Sequence, residues 1–156
     1  MNKQVFIFVF AALIIALAAA GCGGSSDDET SSLTKAQFIK QGDAVCKEVE
    51  EKRGKAIGDF YDKEEARSAQ ELGAKGQEKL VLEVALPPVK GLEGELEALG
   101  APEGDESEIE AMFKALDQAI AEVEKNPNSV LASAESPFDK PGELATKYGF
   151  ETCLQY

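Results

Sequence analysis

From Asp105 to Pro127 the chain reads DESEIEAMFKALDQAIAEVEKNP. Ile109, Met112, Phe113, Leu116, Ala119, Ile120 and Val123 recur at three- and four-residue spacings, which places them on one face of an α-helix. The residues between them are mostly charged or polar, so the opposite face suits water. Asp105 and Glu108 have the spacing of a capping box at the helix start. Asn126-Pro127 ends it, because the residue before a proline is pushed out of helical geometry. Such a helix is stable only when its apolar stripe is buried against other elements.

Those other elements read the same way. Leu33-Thr34 opens a first helix, with Thr34 and Gln37 as a capping box and Leu33 and Phe38 as the staple around it. Phe38, Ile39, Val45, Val49, Ala56, Ile57 and Phe60 form its stripe, and Cys46 lies on that face. Asp62 and Glu65 suggest a further capping box, opening a helix through Leu72, Leu80, Val81, Val84 and Leu86. Its early turns hold Ala66, Ala69, Gly73, Ala74 and Gly76, small enough for close approach to a neighbour. Pro87-Pro88 is expected to end or kink it, since proline lacks the N–H and crowds the preceding turn. A short helix through Val89, Leu92, Leu96 and Leu99 follows, stopped by Gly100-Ala101-Pro102. After Ser136-Pro137 a last helix runs from Asp139 to Tyr148, with Gly149 as its left-handed cap and Phe150 folding back on Leu144 or Ala145. The sequence therefore predicts an all-α fold: a small antiparallel helical bundle of four main helices plus a short C-terminal one, over residues 34–156. The aromatic residues of that span are expected in its core, with Tyr61 and Tyr156 the least buried.

The N-terminus has a different composition. Lys3 precedes the uncharged, apolar run Val5–Ala20, and small residues close it at Ala18-Ala19-Ala20-Gly21. These sixteen residues make about 24 Å of helix, short of a ~30 Å hydrocarbon core. The run reads as a secretory signal rather than a permanent transmembrane helix. Ala19-Ala20-Gly21-Cys22 resembles the bacterial lipobox, with Ala19 where leucine is usual. The resemblance implies cleavage before Cys22, lipidation of its thiol, and a protein exported and held at the extracytoplasmic face of a bacterial membrane. Residues 1–21 are then the signal peptide. The alternative is cleavage after Ala20 and free secretion. Residues 22–33 carry no large apolar side chain before Leu33, and Asp27-Asp28-Glu29 adds self-repulsion. They form a flexible acidic Gly/Ser tether with an rms span of about 19 Å.

The chain contains three cysteines. With Cys22 lipidated, Cys46 and Cys153 remain, and in an oxidising compartment two such cysteines pair. A disulfide between them would staple the C-terminal tail to the first helix. The segments FIKQGDAVC (38–46) and PF…KYGFETC (137–153) resemble those of small exported helical lipoproteins of actinobacteria. That resemblance implies no activity and carries over no functional residue.

The composition excludes several classes of function. With 16 Lys+Arg against 29 Asp+Glu the net charge is −13, the opposite of a nucleic-acid surface. There is no histidine, so imidazole catalysis and the usual zinc sets are excluded. No glycine-rich phosphate loop is present, and the stretch 103–108 lacks the glycine and glutamate of a calcium loop. No cofactor or metal is expected. The reading is a membrane-anchored envelope lipoprotein with a non-catalytic binding or interaction domain. Its partner is an envelope protein or, alternatively, a small apolar ligand carried in the bundle interior by residues such as Leu80, Val84, Leu116 and Ile120. A buried carboxylate with a strongly raised pKa beside a cleft would instead favour an enzyme.

Overall fold

The computed structural model describes residues 32–132 and 135–154, which belong to the unit Ser31–Tyr156. The signal peptide, Cys22 and most of the tether lie outside the described residues. Helix α1 spans Lys35–Lys63, α2 Gly73–Lys79, α3 Leu86–Glu97, α4 Glu106–Lys125, α5 Ser129–Ala132 and α6 Asp139–Tyr148. A 3₁₀ turn (Ala69–Leu72) precedes α2, and a π-helical segment (Leu80–Ala85) joins α2 to α3. There is no strand among the described residues, and no helix there is long and apolar enough to cross a membrane. The protein is an all-α bundle.

Contacts between helix ends fix the directions. Lys79, near the end of α2, lies 5.9 Å from the ring of Phe60 late in α1. Leu96 at the end of α3 reaches Gly42 early in α1. The rod from α2 to α3 is thus antiparallel to α1. Lys90 pairs with Glu124 at 2.7 Å, so α3 and α4 are antiparallel. Tyr148 at the end of α6 bonds Asp105 before α4, so these two are antiparallel as well.

Local sequence explains the boundaries. Thr34 and Gln37 form the complete capping box, with each side chain bonded to the other's backbone. The α4 stripe is buried throughout, from Ile109 to Val123, with Ala115 joining it. At the other end of α6, Gly149 has φ 122°. Its N–H bonds Thr146 O at 3.1 Å and the N–H of Phe150 bonds Ala145 O at 3.0 Å, which caps the helix. The Phe150 ring goes elsewhere, packing on Phe38 and Tyr148 with centroids 5.9 and 5.5 Å away.

Three sequence expectations are corrected. Asp62 does not open a helix, because it lies in the last turn of α1. Glu65 takes φ 54°, and the N–H of Ala66 returns to Tyr61 O at 3.0 Å, so this segment is a helix stop built without glycine. Pro87-Pro88 does not break the rod. They occupy the first turn of α3, where missing N–H groups cost little. The N–H of Leu86 reaches back five residues to Val81 O, and this wider π turn gives the proline rings room. Nor do the small residues of α2 meet a neighbouring helix. A Cβ at Gly73 would touch nothing within 4 Å, and one at Gly76 would touch only Leu72.

Glycine 42 is where backbones and rings come closest. A Cβ there would stand 2.5 Å from Phe150 Cε1, whereas one at Gly58 would meet nothing within 4 Å. Gly58→Ala is expected to stabilise the protein by about 0.5–1 kcal/mol through helix propensity alone. Gly42→Ala gains the same propensity but must displace the ring, at a cost of about 1–3 kcal/mol. Urea unfolding of the two variants should therefore give shifts of opposite sign.

Candidate functional site

Six elements meet around an apolar recess of about 280 Å³. Helix α1 contributes Arg53, Ile57 and Tyr61, which follow one another at i,i+4 and so share a face. The π segment supplies Leu80, Val81 and Ala85, and α3 supplies Leu86 and Val89. Val123 comes from α4, Val130 and Leu131 from α5, and Ser136 and Phe138 from the approach to α6. Ten of these thirteen residues are apolar, and the volume is close to the lower end of small-molecule pockets, ~300 Å³. The π segment, with Leu86 and Val89 on either side of Pro87-Pro88, thus sets part of the wall.

Only one of the four residues expected to line a ligand cavity does so. Leu80 is on the wall. Leu116 is fully buried and Ile120 nearly so, and both are closed into the core against their neighbours. Val84 is partly exposed and is not part of the wall. The cavity is displaced from the bundle interior because the α4 stripe packs densely. Arg53 is the wall residue that sequence reasoning missed. It stands four residues after Val49 and four before Ile57, on the apolar stripe itself, and a charge in that register is the signal. Its guanidinium is held by Glu50, with Nε and Nη2 at 2.9 and 2.6 Å from the carboxylate.

The expected cysteine pair is formed. Cys46 and Cys153 are disulfide-bonded with Cα atoms 5.0 Å apart, both buried. Beside them a polar clasp holds the tail. The Asp43 carboxylate accepts the N–H groups of Glu151 and Thr152 at 3.1 and 2.8 Å, and the Thr152 hydroxyl at 2.9 Å.

Asp105 does not use its carboxylate as a helix cap. It accepts the Tyr148 hydroxyl at 2.8 Å, and Lys35 lies 3.8 Å from it and 3.9 Å from the tyrosine ring centroid. Burial of the phenol, reinforced by this carboxylate, raises the Tyr148 pKa well above the tyrosine range. The contact links the starts of α1 and α4 to the end of α6.

A second, wider groove of about 570 Å³ runs between α3 and α4. Glu93 and Asp117 face each other across it, and burial followed by the Asp117 charge raises the Glu93 pKa. Glu93 is only partly buried, and so is not the buried carboxylate with a strongly raised pKa that would favour an enzyme. Among the described residues no group of three or more His, Cys, Asp or Glu side chains could hold a metal ion.

An acid whose folded-state pKa is raised weakens the fold once it ionises. That cost is present above the folded pKa and disappears as pH falls through it towards the unfolded value. Glu93→Gln is therefore expected to stabilise the protein at pH 7 by a few tenths of a kcal/mol, because solvent screens the pair. The gain should vanish near about pH 3.5, where glutamate is protonated in both states. Thermal unfolding of wild type and variant at the two pH values checks it.

No protein-family model matches the chain, and neither does any curated protein or solved structure.

Proposed function

We propose that this chain is a lipid-anchored binding protein of the bacterial cell envelope, whose helical domain holds a small, mainly apolar molecule in the recess rather than transforming it. The recess carries this reading: its wall is apolar on ten of thirteen residues. Burial of apolar surface supplies affinity there, while Arg53, Tyr61 and Ser136 provide the few polar groups that orient a ligand. Export is supported by the apolar N-terminus and by a disulfide that suits an oxidising compartment. Two or more acyl chains on Cys22 would hold the protein stably at the membrane, which a single chain does not.

Two measurements test the reading. Radiolabelled palmitate should enter the wild-type chain and not Cys22→Ala; label persisting in the variant refutes the anchor. Native mass spectrometry of protein taken from its own membranes, after gentle crosslinking, should show a retained small molecule. A crosslinked protein partner with no small molecule would instead make the domain an interaction module.

A further inference from the structure

We infer that the ligand is an uncharged molecule whose single polar group is a hydrogen-bond acceptor, a carbonyl or ether oxygen, drawn to the hydroxyl donors of Tyr61 and Ser136. This inference rests on the recess being the binding site. Neither sign of charge finds a counter-ion there. The Arg53 guanidinium is already engaged by the Glu50 carboxylate through Nε and Nη2, so the pair offers a ligand no net charge. No carboxylate lines the cavity, so an ammonium group meets no anion on the wall. An ionised head would give up its hydration without a partner, which costs far more than burying a neutral group.

The polar side chains of the wall are suited to donate. Tyr61 is partly buried there, and its hydroxyl bonds to no other described residue. A phenol is the more acidic kind of hydroxyl and so the better donor. The Ser136 oxygen already accepts the N–H of Phe138 at 3.2 Å, which leaves its O–H to donate. Of the other eleven wall residues ten are apolar, and the eleventh is Arg53, whose side chain has no acceptor. A ligand oxygen supplies the acceptor that these side chains lack. Volume sets the size of the rest. An apolar cavity of ~150 Å³ takes benzene, about 25 Å³ per carbon. At 280 Å³ the recess has room for about eleven non-hydrogen atoms.

The experiment uses the full chain in phospholipid nanodiscs at pH 7.5, with the free probe measured by dialysis. Binding is read from the methyl NMR signals of Ile57, Leu80, Val89 and Val130. The probes share the decalin frame: decalin itself, 2-decalone, decahydronaphthalene-2-carboxylate and decahydro-2-naphthylammonium. The ketone is expected to bind about ten-fold more tightly than either ion. Removing both donors, Tyr61→Phe with Ser136→Ala, should weaken the ketone about ten-fold, in the lower part of the range for leaving a buried polar group unpaired. Decalin should change less than about two-fold in the same variant, because it makes no hydrogen bond. Cyclohexanone, smaller by one ring, should bind about thirty-fold or more weakly than 2-decalone.

An ion that binds within about three-fold of the ketone overturns the uncharged ligand. A ketone loss under about three-fold in the variant, or an equal loss for decalin, overturns the acceptor. Either result leaves the recess as a site. Methyl shifts at none of the four residues, with any probe, overturn the recess itself.

Discussion

Replacing Cys46 and Cys153 together by alanine is expected to cost about 4–5 kcal/mol of stability, the chain-entropy value for a loop of this length. The bond joins residues 107 apart in sequence, so it restricts nearly the whole unfolded domain. A small domain has a net stability of about 5–15 kcal/mol, which makes this one linkage a large share of it. The melting temperature should fall on the order of 10–20 °C. Alanine is the right replacement because both positions are buried, at 4% and 0% exposure, and a serine hydroxyl would add a desolvation penalty. Wild-type protein unfolded in the presence of a reductant should lose a similar amount. A loss under about 1 kcal/mol would mean that the reduced unfolded chain is already compact.

The helices were readable from sequence where one local signal was sufficient. The α4 stripe, the Thr34–Gln37 box and the Gly149 cap each use residues within a few positions of one another. The signals that failed were also local, and tertiary contacts overrode them. Asp62 and Glu65 have capping-box spacing, but the α1 stripe continues to Phe60 and burial of that ring carries the helix through Asp62. Asp105 has the same spacing with Glu108, yet Tyr148 claims its carboxylate from 43 residues away. Proline predicts a break, and the π turn before it cannot be read from the chain because it depends on how the rod packs.

The recess was less legible than the fold. Its wall draws on six elements, and only their assembly shows which apolar residues remain uncovered. Leu116 and Leu80 are both leucines on amphipathic stripes, but one is sealed in the core and the other borders the cavity. Arg53 alone left a trace, as a cation within an apolar register. Pairing with Glu50 at i−3 gives an ordinary surface explanation for it, so its place on the wall emerges only from the structure.

Phe150→Ala should cost about 3–5 kcal/mol, the range for deleting a buried aromatic ring. Its ring is 2% exposed, contacts Phe38 and Tyr148, and fills the space left by Gly42. The disulfide acts chiefly on the unfolded chain, whereas this ring acts on the folded one by docking residues 149–154 onto α1. Asp43 serves the same docking one residue further along, and Asp43→Ala should cost about 1–2 kcal/mol. If ring and clasp hold one unit, either substitution loosens the segment that the other would have held. The double variant should then lose less than the sum of the two single losses, by about 1 kcal/mol or more. Losses that add within about 0.5 kcal/mol would show that ring and clasp act independently. Urea unfolding of the two single variants and the double variant, all with the disulfide intact, decides between these outcomes.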